Sequence, residues 1–198
     1  MPQDRRDLRR RLFALASGQG GYFTAAQARS TGYSYQAQAH HVASGNWLRI
    51  DRGIFRLAEW IPEVHDDLVR WTLWSGGRAV VSHDSALAVH GVGELESPRV
   101  HLTVPPGFRM RDDAVSIHQS DLPDGDVEQR NGFRATTVLR SLIDVAADSA
   151  DEDQLGRAIA QAREGGRFTL RQLRERAEAL DVRAALHIER ALHFIEAS

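Results

Sequence analysis

The side chains able to do chemistry are lopsided in type. All 25 basic residues among the 198 are arginine, nine histidines are scattered along the chain, and cysteine is absent. Without thiols there is no disulfide framework, no cysteine-based zinc site and no thiol nucleophile. Without lysine there is no P-loop nucleotide site, no Schiff-base chemistry and no lysine-dependent nuclease centre. Ser82-His83-Asp84-Ser85 holds the residue types of a hydrolase triad, but chain neighbours cannot converge as a triad must. A helix start capped by Ser82 or Asp84 accounts for it. The histidines show no HExxH spacing, and His187 and His193 do not stand one helical turn apart. No catalytic residue, no metal site and no cofactor is expected, and the chain does not read as an enzyme.

The arginines are more informative. In GNWLRIDRGIFRL, residues 45–57, Leu48 and Ile50 share one face of a first strand, Phe55 and Leu57 share one face of a second, and Asp51-Arg52-Gly53 makes the loop. Arg49, Arg52 and Arg56 then point away from the core or sit at the tip, placed to meet phosphates or a minor groove. Ser34 caps the helix that precedes this hairpin, which runs to about residue 44. Its buried face is either Tyr35, Ala39 and Val42 or Gln38, His41 and Val42. Gln36 and His40 are exposed in both cases, and a glutamine can pair bidentately with adenine in the major groove. Ser34, Tyr35, Gln36 and His40, with Arg49, Arg52 and Arg56, are the expected DNA-binding residues.

Other elements position them. Leu8, Leu12 and Leu15 mark an amphipathic first helix ending near 18–21. Thr24-Ala-Ala-Gln27 is a capping box opening a second, short helix that stops at Gly32. Two short helices joined by a tight turn and followed by a hairpin predict a winged helix-turn-helix over residues 1–60. That segment has nine arginines against four acidic residues, whereas 61–198 has sixteen against twenty-three, so the polyanion partner belongs at the front. The arginine-rich start imitates a secretion signal, but LFALA is too short for an h-region. No apolar run approaches the ~18 residues of a membrane span. A cytoplasmic protein with no membrane partner is expected.

Residues 61–198 predict a mixed α/β domain with a helical C-terminal tail, making the whole chain α+β. The expected elements are a helix opened by Pro62 with Val64, Leu68 and Trp71 on its stripe, strands at 79–83, 99–105, 114–119 and 133–137, and helices at 84–92 and 138–148. Three more helices follow, one opened by a second capping box at Thr169-Leu-Arg-Gln172. Arg163, Arg167, Arg171 and Arg174, with Arg176, cluster there as a surface for a partner or for DNA. Glu164, Glu175 and Glu178 interleave with them, so a solvated face with i,i+4 pairing is the competing reading.

The ordered series GYFTAAQARSTGYS, HHV, GNWLRIDRGIFRL, VVSHDSALAVHGV, HLTVPPGFR and ATTVLRSLIDVA resembles the AbiEi family of bacterial antitoxins over about residues 20–150. The resemblance implies a winged helix that binds operator DNA and represses its own operon, as a homodimer or cooperatively on inverted repeats. It also implies a C-terminal domain that neutralises an AbiEii-like nucleotidyltransferase toxin, with direct toxin contact left open. Carried over, residues 34–44 and Arg49, Arg52 and Arg56 would meet the operator. Where relatives often carry arginines on that helix, this chain has Tyr35, Ala39 and Ala43. The alternative is a protein-interaction module whose winged helix meets a partner protein instead of DNA.

Overall fold

The computed structural model describes residues 5–93, 97–148 and 151–196. The chain is mixed α and β, and it divides into two compact units, residues 1–79 with 129–133 and residues 80–128 with 134–198.

The first unit runs α1 (Arg5–Ser17), β1 (Tyr22–Thr24), α2 (Ala25–Thr31), α3 (Tyr35–Ala43), β2 (Trp47–Asp51), β3 (Ile54–Leu57) and α4 (Asp66–Trp74). Its three strands are antiparallel in the order β1-β3-β2. Leu12 and Ala16 of α1 and Ala28 of α2 close over an aromatic cluster of Phe23, Tyr33, Trp47 and Phe55. Phe23 meets Trp47 edge to face at 4.8 Å, and Tyr33 meets the same indole at 5.0 Å, geometries that suit the ring quadrupoles.

Three expectations for this unit need correction. A boundary at 60/61 would cut through packed structure. Trp60 Nε1–H and the Glu63 amide both donate to Asp66 Oδ2 at 2.9 Å, and Arg70 donates to Asp51 in the hairpin at 3.0 Å. Asp66 is buried and accepts the indole hydrogen bond, so α4 belongs with what precedes it. The helix also starts later than Pro62 suggested: Val64 is 83% exposed, off the buried stripe, and His65 stands in the left-handed region ahead of Asp66. Leu48 and Ile50 are likewise not the buried pair of β2. Trp47 is buried opposite Leu57 while Leu48 is exposed opposite Arg56, and Ile50 is an extra residue where the register shifts.

The second unit contains β4 (Val80–Val81), α5 (His83–Val89), β5 (Val100–Val104), β6 (Val115–Gln119), β7 (Val127–Gln129), β8 (Arg134–Thr136), α6 (Val138–Asp148), α7 (Glu152–Glu164), α8 (Leu170–Leu180) and α9 (Val182–Glu196). The sheet order is β6-β5-β4-β8-β7, with β5 parallel to β6, β4 antiparallel to β5 and β4 parallel to β8. Strand β7 was absent from the sequence expectation, since Val-Glu-Gln shows no usable alternation. Leu142, Ile143, Ile159, Leu173 and Ile188 centre a core formed by α5 to α9. At its margin, buried Asp126 accepts from Arg140 at 2.9 Å and from Arg176 at 2.8 Å, and Arg140 also donates to Asp144 at 2.8 Å. Among the described residues no helix is long and apolar enough to cross a membrane.

Candidate nucleic-acid interface

The α2–α3 pair is set by local chemistry. Thr24 Oγ1 accepts from the Gln27 amide while the Gln27 side chain accepts from the Thr24 amide, closing the expected capping box. Gly32 follows at φ 113°, a left-handed stop that a side chain would disfavour. Ser34 Oγ then accepts from the Ala37 amide at 3.2 Å. Ser34 is thereby committed to starting α3.

The rotation of α3 is decided by its one buried polar side chain. Gln38 is 3% exposed, and its amide donates to the carbonyls of Ala25 and Tyr33. A buried amide without such partners would be costly. With Gln38 held inward and His41 and Val42 half-buried beside it, Tyr35, Gln36, Ala39 and His40 face outward. Of the two faces open in the sequence, the structure takes Gln38, His41 and Val42. His41 stacks on Trp47 at 4.7 Å. Burial, with His40 next to it, lowers the His41 pKa, so that ring is a neutral packing element at neutral pH. Tyr35, 63% exposed, lies under the guanidinium of Arg29 at 4.8 Å. The Arg29 contribution escaped sequence reading because the residue sits on the supporting helix.

The hairpin is fastened at both ends. Asn46 bridges toward His41 and accepts from the Ala58 amide, and the Ala25 amide donates to the Gly53 carbonyl at the tip. Gly53 has φ 73°, the conformation the loop requires. The three expected arginines occupy different environments. Arg52 is exposed at the tip and makes no ion pair among the described residues. Arg49 is exposed on β2 with its guanidinium 5.7 Å from the Phe55 ring centre. Arg56 is half-buried over Tyr22, and its Nε is buried without a hydrogen-bond partner among the described residues. A groove of about 620 Å³ also opens in this unit, lined by Leu8, Phe13, Tyr33, His40, Trp47 and Leu57 among others.

On the C-terminal helices the competing reading of the arginine cluster gains ground. Arg171 pairs with Glu175 at 2.7 Å, Arg174 holds both carboxylate oxygens of Glu189, and Arg176 is tied to Asp126. Arg163 and Arg167 remain exposed.

Residues 10–58 match the family model described as transcriptional regulator, AbiEi antitoxin. The resemblance read from the sequence is matched over this segment by a family of antitoxins and transcriptional regulators. The AbiEi segment spans most of α1, the α2–α3 pair and the whole hairpin, so it contains every expected DNA-binding residue of the winged helix. No curated protein matches the chain by sequence. Among solved structures, the RV2827C protein from Mycobacterium tuberculosis is similar with a TM-score of 0.61 at 14% identity, over 93% of this chain and 77% of that one. At that identity the likeness is one of fold.

Outside the AbiEi segment the structure groups residues that lie far apart in the sequence. His83, His101 and His118 converge in the second unit with a ligand atom of each within 4.8 Å of the others. They come from the start of α5, from β5 and from β6, and β5–β6 pairing puts His101 diagonal to His118. Ser82 also behaves otherwise than expected. Its backbone starts α5, but its hydroxyl makes no capping bond and instead accepts from Thr103 at 2.8 Å and meets His83 Nδ1 at 2.9 Å. Nothing local in the sequence announces this grouping.

Proposed function

We propose that the first unit is a winged helix-turn-helix that binds operator DNA, with α3 in the major groove and the β2–β3 hairpin as wing, and that the chain is an antitoxin repressing its own operon. The observation that carries this reading is a coincidence. The family match falls on the segment where α3 turns an uncommitted polar face outward beside a hairpin tipped by Arg52. Gln36 and His40 meet base edges, Tyr35 and Arg29 flank them, and Arg49 and Arg52 meet phosphates. Arg56 supports the wing from within by stacking on Tyr22. A homodimer would place two copies of α3 on inverted half-sites. Neutralisation of a cognate nucleotidyltransferase toxin is assigned to the second unit, which lies outside the family match.

The groove of the first unit favours one other reading, that this unit docks an apolar segment of a partner protein. Salt separates the two. The measurement is binding to the DNA just upstream of the reading frame in a salt titration, for the wild type and an Arg49→Ala/Arg52→Ala variant. With about six phosphates engaged, affinity should fall roughly 10³-fold or more between 50 and 200 mM salt, and the variant should lower the logarithmic slope by about two. Arg52→Ala alone should weaken all sequences alike. Absence of binding at low salt, or a flat slope, would sink the operator reading and leave the groove as the working surface.

A further inference from the structure

We propose that His83, His101 and His118 form a binding site for a late first-row divalent metal ion of the Zn²⁺ class in the second unit, with Asp148 at its open side.

The argument begins with which nitrogens are already taken. His83 Nδ1 meets Ser82 Oγ at 2.9 Å, His101 Nε2 meets Ser97 Oγ at 3.0 Å, and His118 Nδ1 faces Asp148 Oδ2 at 3.4 Å. Each imidazole thus has a polar partner on one nitrogen, the outer-shell pattern that orients metal-binding histidines. The nitrogens left over are His83 Nε2, His101 Nδ1 and His118 Nε2. The last two stand 3.1 Å apart. Two nitrogens sharing one tetrahedral ion at about 2.0–2.1 Å are separated by roughly 3.3 Å, so this edge already has the right length. His83 Nε2 faces the same Asp148 oxygen at 3.5 Å, and its ring, stacked on that of His118 at 3.6 Å, swings outward for Nε2 to join the other two on one ion. The Asp148 side chain is 55% exposed, which opens the fourth position to solvent and gives an ion its way in.

The surroundings suit a cation. Asp148 and Asp84 stand at the cluster, the latter 4.0 Å from His101 Nε2. Arg140, the cation facing His83, is already matched by Asp126 and Asp144. His83 opens α5 at φ 52°, in the left-handed region that histidine enters more readily than most residues. Three neutral imidazoles and a carboxylate select Zn²⁺, Co²⁺, Ni²⁺ or Cu²⁺ over Mg²⁺ or Ca²⁺. A bound ion would join α5, β5, β6 and the end of α6.

The test is Co²⁺ titration of the chelator-treated full chain, followed by visible absorption, with Zn²⁺ competition. One equivalent should produce intense tetrahedral d–d bands that Zn²⁺ abolishes. His101→Gln and His118→Gln, both at half-buried positions, should each weaken uptake about 100-fold or more, while His40→Ala leaves it unchanged. Thermal unfolding should shift upward with Zn²⁺ in the wild type and not in the two glutamine variants. A wild type that takes up no ion, or takes it up equally in His101→Gln, overturns the site. The wild-type titration decides the matter even where a variant fails to fold. Because the site lies outside the AbiEi segment, its failure would leave the operator reading untouched.

Discussion

The two histidine groups of this protein are built in opposite ways. His40 and His41 are adjacent, and a single helix sends one outward and the other onto Trp47. Their fates depend on Gln38 and on the Ser34 cap, all within one or two turns. His83, His101 and His118 come from three elements, and their grouping depends on the β4–β5–β6 order and on the packing of α5 against β5. The first kind of site is robust to changes elsewhere in the fold. The second is only as good as the long-range contacts around it, and here those contacts include a buried charge network beside it.

That contrast can be broken at several points. The largest effect is expected for Asp126→Ala. It strips Arg176 of its carboxylate and leaves buried Arg140 with Asp144 alone, and losing one partner of a buried pair typically costs about 3–5 kcal/mol. Chemical denaturation should show that loss, and the Co²⁺ bands should weaken with it. DNA binding should survive wherever the chain stays folded; if binding falls equally, the two regions are not independent. Next comes Gln36→Ala, expected to remove about 1–3 kcal/mol of discrimination at one base pair without altering the melting temperature. A binding-site selection that returns the wild-type preference would mean the reading face of α3 is placed wrongly.

Thr24→Ala deletes the capping box and should cost about 1 kcal/mol of stability, read by denaturant unfolding. No measurable loss would show that packing alone holds α2. Smallest is Arg174→Ala. The pair it forms with Glu189 is exposed on both sides, so no more than about 1 kcal/mol is at stake. The Arg174 hydrogen bond holds the Glu189 carboxyl below its ordinary range. What the pair contributes is therefore present at neutral pH and fades as pH falls through the glutamate range. A wild type and variant that diverge as the solution is acidified would contradict that sign.

Much of the first unit was legible because its rules act over three or four residues. The capping box at Thr24, the stop at Gly32, the Ser34 cap and the Gly53 turn all require particular residue types at fixed offsets, and all are present as read, as is the second box at Thr169 in the other unit. The composition alone also set limits that no fold could lift, such as the absence of thiol and lysine chemistry. Other features were out of reach of spacing. The phase of α3 stayed open in an alanine-rich helix until two backbone carbonyls, from Ala25 and Tyr33, claimed Gln38. Val64 looked like part of a helical stripe, but Asp66 bonding to Trp60 and Glu63 starts α4 two residues later. The strand β7 is too short to show a period and exists because β8 offers it an edge. Arg49 and Arg56 each stand between two apolar neighbours on a strand, yet Arg56 is half-buried over Tyr22 and Arg49 is exposed, because only the sheet decides which face is covered. The histidine trio is the extreme case. Sequence determines that three imidazoles are available; strand order and the packing of α5 against β5 bring them together.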